Sequence, residues 1–250
     1  MSIDIGLVAA CEERIINAWP AVETLVIDGF VVRFANGYSG RANSASALQV
    51  GARFRPGTLD LIEGLYHDAG LSPCVRYTPL CHESVLPEIT ARGYVIRDSS
   101  IGMVAPLDDA PSPLNSLTLT EKPSANWVRA VSARQTGSKK DADDGLYAIV
   151  SRIKLPAAFA TLSAEGQEVG FGMTVVERGM AEIGAIVIDE RLRGRGFGRA
   201  LVGGLMGWAR MLGARQAYLQ VEHVNEPALK TYRGLGFKEA YRYDTMQKRS

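Results

Sequence analysis

The segment "IVIDERLRGRGFGRALVGGLMGWARMLGA", residues 186 to 214, decides how this chain folds. An apolar run typical of a buried strand gives way to arginines and to three alternating glycines, Gly194, Gly196 and Gly198. Apolar residues then return at helical spacing. A strand, a glycine-rich turn and a helix in this order direct free backbone N–H groups and the positive end of a helix dipole toward one point. The pattern predicts an anion site, with a phosphate or pyrophosphate as the natural occupant.

Three nucleotide-binding motifs compete for this loop. A Walker A loop requires a lysine after its last glycine, and no lysine follows here. A dinucleotide GxGxxG motif also fails, because Arg199 or Leu201 stands where its last glycine belongs. The pattern RxxGxG fits without a gap, with Arg193, Gly196 and Gly198 in its three fixed positions. The alternative without a ligand is a plain glycine turn whose arginines face solvent.

Composition excludes several classes of protein. The chain has 250 residues, 46% of them hydrophobic, and its 28 basic and 27 acidic side chains nearly cancel, which argues against nucleic acid or an anionic membrane as a general partner. The beginning of the sequence lacks the features of a signal peptide, and no window approaches the roughly 18 to 20 apolar residues of a membrane span. Three cysteines without CxxC spacing argue against disulfides or zinc. We therefore expect a cytoplasmic protein.

A proline-rich and acidic stretch near the middle, "PLDDAPSPLNS", divides the chain. We predict an N-terminal α/β lobe over 1–107, a linker over 108–115 and a second domain over 116–250. Within the second domain the patterns predict a strand, two helices, three strands in a meander, a helix, a strand, a helix and a closing strand pair. The predicted fold class is mixed α/β (α+β), a mostly antiparallel sheet flanked by helices.

The N-terminal half contains a weak repeat of this order. A shift of 143 residues places "DLIEGLYHDAGL" and "CHESVLPEITARGYV" over the last helix, strand and helix of the chain and aligns Gly70 with Gly213 and Gly93 with Gly236. These glycines stand where a helix ends in a left-handed residue. Few positions are identical, so chance is the alternative, but we favour a diverged duplication. The glycine loop has no counterpart in the first lobe, which is therefore not expected to bind a cofactor.

With these motifs the sequence resembles the GNAT superfamily of acyl-CoA-dependent N-acyltransferases. The family hallmark, [Q/R]xxGxG/A after the fourth strand, matches the arginine and glycine loop. A second hallmark lies downstream at matching separation in "NEPALKTYRGLGF", through Asn225, Ala228, Tyr232, Gly236 and Phe237. The resemblance covers residues 116 to 250 and is faint in the first lobe. It implies a GNAT-like fold that binds acetyl-CoA (coenzyme A).

The resemblance also implies roles for individual residues. The strand residues Ile186, Val187 and Ile188 are expected to hydrogen-bond the pantetheine arm through their backbone. Asn225 is expected to bond the pantetheine, and Tyr232 to be the general acid for the departing thiolate. The pyrophosphate is assigned to the loop residues Arg193, Gly194, Arg195, Gly196, Phe197, Gly198 and Arg199.

The general base is open between Glu222 and Glu182, with His223 third because strand alternation points it away from Glu222. A packing role for Tyr232 and an N-cap role for Asn225 are the structural alternatives. All three cysteines precede the linker, so we expect direct transfer in a ternary complex. The histidines His67, His82 and His223 have no spaced partners, so no metal is expected.

These expectations describe an N-acetyltransferase that transfers an acetyl group from acetyl-CoA to a primary amine. The alternative of another class is an acyl-CoA-binding sensor or scaffold without catalysis. The partner is a small-molecule or peptide amine, with no nucleic acid or membrane, and the protein is a monomer or homodimer. Three acidic residues are candidates to attract a cationic amine, and ordinary surface acids are the alternative: Asp141, Asp144 and Asp244.

Overall fold

A computed structural model of the chain describes residues 3–110, 116–135 and 142–249. Two compact units emerge, unit 1 from Met1–Gly102 with Ala240–Ser250, and unit 2 from Met103–Glu239. The domain division over 1–107, 108–115 and 116–250 stays a prediction, and residues 111–115 of its linker lie outside the described residues. The end of the chain is grouped with unit 1 because its last strand pairs there.

Unit 1 is a sheet whose strands are joined through three helices. Its strands follow the order β1-β2-β3-β4-β11-β5, in which β3 and β4 are parallel while β1 with β2, β2 with β3, and β4 with β11 are antiparallel. Both β5 and β11 run across the boundary between the units. The bounds are α1 (Ile5–Ala18), β1 (Glu23–Ile27), β2 (Phe30–Phe34), β3 (Ala45–Ala47), α2 (Thr58–Asp68), β4 (Cys74–Tyr77), α3 (Val85–Ala91), β5 (Tyr94–Pro106) and β11 (Lys238–Lys248).

Unit 2 contains the strand, glycine loop and helix of residues 186–214. Its strands follow the order β10-β9-β8-β7-β6, antiparallel except for the parallel pair of β9 and β10. The predicted mixed α/β class with a mostly antiparallel sheet is confirmed. The bounds are β6 (Leu117–Thr120), α4 (Ala125–Gln135), α5 (Ala142–Val150), β7 (Ala157–Ala164), β8 (Gln167–Glu177), β9 (Met180–Ile188), α6 (Phe197–Met211), β10 (Gln216–Glu222) and α7 (Glu226–Gly234).

One detail of the predicted order is wrong. The closing strand pair after α7 is a single long strand, β11, which pairs antiparallel with β4. Burial that largely alternates along "KEAYRYDTMQK" is the pattern of one half-buried strand, and the sequence from Phe237 contains no glycine, proline or asparagine that would divide it.

Corresponding elements of the two units end at positions that differ by the predicted 143 residues. The helix α2 ends at Asp68 and α6 at Met211, while α3 ends at Ala91 and α7 at Gly234. The glycines that follow these helices are all left-handed, with φ of 67° at Gly70, 84° at Gly213, 84° at Gly93 and 89° at Gly236. A left-handed residue after a helix end is a position that glycine occupies at low cost. These matches support the duplication.

The packing of α6 on the strands explains two further glycines. A Cβ at Gly170 or Gly172 would lie 2.5 Å from the terminal carbon of Ile188 or Ile186, so these glycines leave the space that the isoleucines fill. On the helix, Leu201 and Leu205 are fully buried at the i, i+4 spacing of a core-facing stripe. Burial of such side chains stabilises the contact by about 1.5–3 kcal/mol each. The glycine loop is thereby attached to a rigid helix and strand.

Candidate active site

The first element of the site is an irregularity in β9. The register between β8 and β9 shifts between Phe171 and Met173, and Ala185 has a positive φ of 53°. An extra residue in one strand is a β-bulge, which reverses the faces to which later side chains point. Glu182 therefore lies on one face of the sheet, and Ile186 lies on the face that α6 covers. The bulge separates a carboxylate position from an apolar anchoring segment within one strand.

The second element is the free edge of β9 beyond this bulge. Among the described residues, the ladder between β9 and β10 joins Met180–Glu182 to Gln216–Tyr218, although β9 continues to Ile188. The N–H of Asp189 donates to the carbonyl of Val169 on the β8 side at 3.0 Å. Because backbone groups alternate along a strand, those of Ile186 and Ile188 point to the opposite edge. Ile186 and Ile188 thus present backbone donors and acceptors where a ligand could pair with them, whereas Val187, by the same alternation, faces its partner Phe171 on β8.

The third element is the glycine loop at the beginning of α6. Gly194 and Gly196 have φ of 78° and 85°, and Gly196 is the N-cap of α6. A glycine N-cap has no side chain to accept from the first turn, so the N–H groups of Phe197, Gly198 and Arg199 are left for an external acceptor. This geometry fits a bound pyrophosphate, because a Cβ at these left-handed positions would be strained and would approach the anion.

The loop arginines are exposed rather than built into the core. The guanidinium of Arg193 lies 3.2 Å from Glu190, with 59% of the Arg193 side chain accessible. Arg195 lies 3.9 Å from Glu165, and its guanidinium carbon is 5.3 Å from the ring centre of Phe197. Exposed ion pairs of this kind contribute about 0–1 kcal/mol. Both side chains can therefore exchange these partners for a phosphate at low cost.

The fourth element is α7, with Asn225 at its N-terminal end and Tyr232 two turns later. The side chain of Asn225 accepts a hydrogen bond from the N–H of Ala228 at 3.2 Å, so the N-cap role considered for it is present. Tyr232 is 9% exposed and lies edge-on to Phe237, with 5.9 Å between ring centres. Burial and the nearby carboxylate of Glu182 raise the pKa of Tyr232 to about 12. The hydroxyl therefore keeps its proton at neutral pH.

The structure separates the candidate bases. Glu182 is 1% exposed, and its carboxylate lies over Gly184, where a Cβ would be 2.5 Å from Oε1. Glu222 and His223 are exposed at the end of β10. Glu182 is thus the candidate carboxylate whose charge raises the pKa of Tyr232, whereas Glu222 lies at the strand end that leads into α7. Gly184 was missed in the sequence, because a single strand glycine carries no signal of the side chain that crosses it.

The acidic residues considered for substrate attraction have different surroundings. Asp144 is exposed in the first turn of α5, and Asp141 lies outside the described residues. Asp244 belongs to unit 1, where its carboxylate accepts a hydrogen bond from Ser99 at 2.5 Å. The structure therefore gives Asp244 a local structural partner.

In unit 1 the parallel ladder of β3 and β4 is packed differently from that of β9 and β10. It pairs Ser46 with Arg76, and the buried Arg76 guanidinium donates to the carboxylate of Glu12 at 2.8 and 3.2 Å. The hydroxyl of Tyr241 donates to the same carboxylate at 2.6 Å. Beyond the ends of β3 and β4, the N–H of His82 donates to the carbonyl of Ala52 at 2.8 Å, so the segments that follow these two strands stay hydrogen-bonded.

The beginning of α2 in unit 1 also has an internal anion. Gly57 is a left-handed N-cap with φ of 83°, as Gly196 is in unit 2. The carboxylate of Asp28 accepts from the hydroxyl of Thr58 and lies 3.6 Å from Arg55. A carboxylate of the chain thus occupies the neighbourhood where unit 2 offers an open loop. That the first lobe binds no cofactor stays a prediction.

A cavity of about 600 Å³ lies along α6 and begins at Gly196. The small residues Ala200, Gly203 and Gly204, at helical spacing, are the sequence signal of a groove on one face of this helix, and this groove was not predicted. Over 3–110, 116–135 and 142–249, no group of three or more His, Cys, Asp or Glu side chains is arranged to hold a metal ion. No helix in this part of the chain has both the length and the apolar character to cross a membrane.

Comparisons with known proteins agree with this architecture. The family model described as Probable histone acetyltransferase Rv0428c C-terminal matches residues 8–246. The protein of that name from Mycobacterium tuberculosis is 27% identical over 237 residues, covering 92% of this chain and 70% of the relative. The Uncharacterized N-acetyltransferase YobR of Bacillus subtilis is 25% identical over 232 residues, covering 90% of this chain and 92% of the relative.

A solved structure shows the same fold over both units. The GCN5-related N-acetyltransferase from Kribbella flavida superposes with a TM-score of 0.71 at 14% sequence identity, covering 97% of this chain and 95% of that chain. The match of the family model to nearly the whole chain shows the family, and the superposition shows the fold. The chain therefore belongs to the family described as Probable histone acetyltransferase Rv0428c C-terminal, within the GNAT superfamily of acyltransferases.

Proposed function

We propose that the chain is an N-acetyltransferase that transfers the acetyl group of acetyl-CoA directly to a primary amine. The observation that carries the proposal is the uncapped beginning of α6 at the left-handed Gly196, directly after the free edge of β9. The anion site at the start of α6 matches a pyrophosphate, and the adjacent backbone edge of β9 matches an amide-containing arm attached to it. Coenzyme A has this chemistry.

The loop and β9 bind the donor in this proposal. The N–H groups of residues 197–199 bind the pyrophosphate, with Arg193 and Arg195 adding positive charge. Backbone groups of Ile186 and Ile188 pair with the amides of the pantetheine arm, and the side chain of Asn225 meets it from the first end of α7. The thioester is thereby directed along β9 toward the bulge at Ala185, beyond which Glu182 lies.

The proton transfers are assigned to Glu182, which precedes the bulge in β9, and to Tyr232 of α7. The attacking nitrogen forms a bond to the thioester carbonyl carbon, the carbon–sulfur bond breaks, and the nitrogen loses one proton. Glu182 accepts that proton, directly or through water, and Tyr232 donates to the departing sulfur. The raised pKa of Tyr232 keeps this donor protonated at neutral pH. We favour Glu182 over Glu222 because Glu182 is buried in β9, the strand along which the donor is proposed to bind, whereas Glu222 is exposed at the end of β10.

The second candidate function is an acyl-CoA-binding sensor without turnover. The burial of Tyr232 and the effect of Glu182 on its pKa favour the enzyme, because binding of coenzyme A requires neither a protonated phenol nor a carboxylate. The chemical class of the amine substrate is left to be identified with a panel of candidate amines. The name of the Mycobacterium tuberculosis relative refers to histones, so a lysine peptide belongs in the test panel beside a peptide with a free N-terminus and small amines.

The test measures binding and turnover separately. Calorimetry with acetyl-CoA is expected to show binding to the wild type and loss of binding to Gly196→Glu. The matched control is Gly179→Glu, since Gly179 has a similar φ of 78° but lies in the turn between β8 and β9. Amine-dependent release of free thiol, reduced about 10²-fold in Tyr232→Phe, would establish catalysis. Binding without thiol release across the panel would leave the sensor, and no binding would refute the proposal.

A further inference from the structure

The strand β1 is the outer strand of the sheet in unit 1, and it is exposed. Among the strands of the described residues it stands first in the order and pairs with β2 alone. Val26 is 69% exposed and Leu25 is 44% exposed, whereas β2 is buried from Phe30 to Arg33. The sequence of β1 contains neither lysine nor proline, with which many proteins protect a sheet edge from pairing. The apolar edge is therefore open to another strand.

The turn after β1 fixes the hydrogen-bonding pattern of the strand. Asp28 and Gly29 have φ of 48° and 81°, the backbone of a two-residue hairpin turn, and Ile27 pairs with Phe30 across it. The two residues that flank such a turn bond each other, and bonded and non-bonded positions then alternate along the strand. Every second residue of β1, counted back from Ile27, thus bonds β2.

The remaining positions of β1 present their backbone groups to the free edge. Leu25 bonds β2, whereas the N–H and C=O groups of Thr24 and Val26 point away from β2. The carbonyl of Phe34, which pairs with the residue two positions before Leu25, accepts from the N–H of Val22 at 2.8 Å and so faces β1, as this alternation requires. Thr24 and Val26 therefore offer donors and acceptors to a further strand.

We propose that β1 pairs with β1 of a second copy of the chain, antiparallel and about a two-fold axis at Leu25. This axis places Thr24 opposite the partner's Val26 and Val26 opposite the partner's Thr24. Each pair then exchanges both of its hydrogen bonds, because these are the residues whose backbone groups face the edge. Leu25 meets the partner's Leu25 at the axis. The same patch serves both copies, as a two-fold interface requires.

Charges at the two ends of β1 favour the antiparallel arrangement over a parallel one. Glu23 is exposed at the beginning of the strand. Arg55, whose side chain is 79% exposed, lies 3.6 Å from Asp28 directly after the end of the strand. Antiparallel pairing places the beginning of one copy beside the end of the other, and so brings Glu23 to the end that holds the partner's Arg55. Parallel pairing would instead bring two Glu23 carboxylates together, which is unfavourable.

The outer strand of the sheet in unit 2 has a different surface. The exposed residues of β6 are Thr118 and Thr120, while Leu117 is buried. Apolar residues are thus exposed at the β1 edge and turned inward at β6. Because a pair of five-residue strands is smaller than the standard interface of about 800 Å² per partner, we expect a dimer that forms only as the concentration rises.

Sedimentation velocity over a range of protein concentrations tests the proposal. The wild type is expected to shift from the monomer mass toward twice that mass. Val26→Lys places a charge inside the strand pair and is expected to raise the dissociation constant at least about tenfold, or ~1.4 kcal/mol. The matched control is Val50→Lys, which changes a valine that is 60% exposed outside β1 and should keep the wild-type dissociation constant.

Hydrogen exchange followed by NMR locates the interface independently of any substitution. The N–H groups of Thr24 and Val26 should exchange at least about tenfold more slowly at high protein concentration than in dilute solution, because they become bonded in the dimer. The N–H of Leu25 bonds β2 in both states and should change less. Equal exchange of all three groups at both concentrations would overturn the proposal.

Charge reversal tests the direction of pairing. Glu23→Lys and Arg55→Glu should each associate with themselves more weakly than the wild type, because like charges then meet. An equimolar mixture of the two variants should restore association, because both ends then join opposite charges. A mixture that associates no better than either variant alone would overturn the antiparallel arrangement. Circular dichroism establishes that every variant is folded.

Two further results would overturn the proposal. A wild type that stays monomeric at the highest soluble concentration would leave the β1 edge to a strand of a different protein. A dimer that persists unchanged in Val26→Lys would have its interface elsewhere. Neither result affects the proposed function, which depends on residues of unit 2.

Discussion

The Arg76 guanidinium and the Glu12 carboxylate form a fully buried ion pair in unit 1, with the Tyr241 hydroxyl on the same carboxylate. Burial by itself would lower the pKa of Arg76, but Glu12 and the surrounding tyrosines raise it, so the arginine stays charged. Burial and Glu12 likewise raise the pKa of Tyr241, which stays a hydrogen-bond donor. The three groups satisfy one another where neither charge could be left alone.

Removing one charge of this pair should destabilise the chain strongly. Glu12→Gln leaves Arg76 buried without a counter-charge, and we expect the free energy of unfolding to fall by about 3–5 kcal/mol. Urea unfolding measures the change. The control Glu226→Gln breaks an exposed pair with Arg233 and should cost less than about 1 kcal/mol. Equal effects of the two substitutions would contradict a special role for the buried pair.

Gly184 is expected to position the carboxylate of Glu182. In Gly184→Ala the new methyl group would lie 2.5 Å from Oε1 and 2.9 Å from Oε2, so the carboxylate must move. Under the proposed mechanism kcat should fall about tenfold, a part of the 10²–10⁴ that a positioned base contributes, with the affinity for acetyl-CoA unchanged. Steady-state kinetics and calorimetry measure the two effects.

A control separates this effect from the general cost of a substitution at glycine. Gly64→Ala in α2 adds a methyl group with no atom within 4 Å and should leave kcat unchanged. An unchanged kcat in Gly184→Ala would contradict a positioning role of Gly184 for the carboxylate of Glu182 in the reaction.

The raised pKa of Tyr232 predicts the basic side of the pH profile. A folded-state pKa of about 12 means that the hydroxyl stays protonated below about pH 11, so Tyr232 should cause no loss of kcat between pH 7 and pH 10. The same shift favours the folded state below about pH 10 and loses its effect as the pH rises through about 12. A descending limb below pH 10 that disappears in Tyr232→Phe would show that the pKa in the complex is lower.

Asn225 allows its structural and ligand roles to be tested separately. Asn225→Ala removes the cap on the Ala228 N–H and should cost about 1 kcal/mol of stability. Asn225→Ser retains an oxygen that can cap but lacks the amide N–H donors. We expect it to keep the wild-type melting temperature and to bind acetyl-CoA more weakly. Wild-type affinity in Asn225→Ser would reduce Asn225 to a cap.

The sequence by itself determined those features that depend on a few consecutive residues. Left-handed glycines, the Asn225 cap and the alternation of strands are set by local steric and hydrogen-bonding rules, so the loop at Gly194 and Gly196 and the strand, helix and strand around it could be predicted. The predicted duplication rests on the same kind of local signal, because helix-ending glycines such as Gly70 and Gly213 recur at one fixed spacing.

Only the tertiary structure decided which distant side chains meet. The effect of Glu182 on the pKa of Tyr232, the contact of Arg199 with the carbonyl of Gly234, and the pairing of β11 with β4 join residues far apart in the chain. Their environment depends on sheet order, on the bulge at Ala185 and on side-chain packing, none of which a local pattern encodes. Burial and charge, which set the chemistry of a carboxylate or a phenol, are therefore properties of the folded chain.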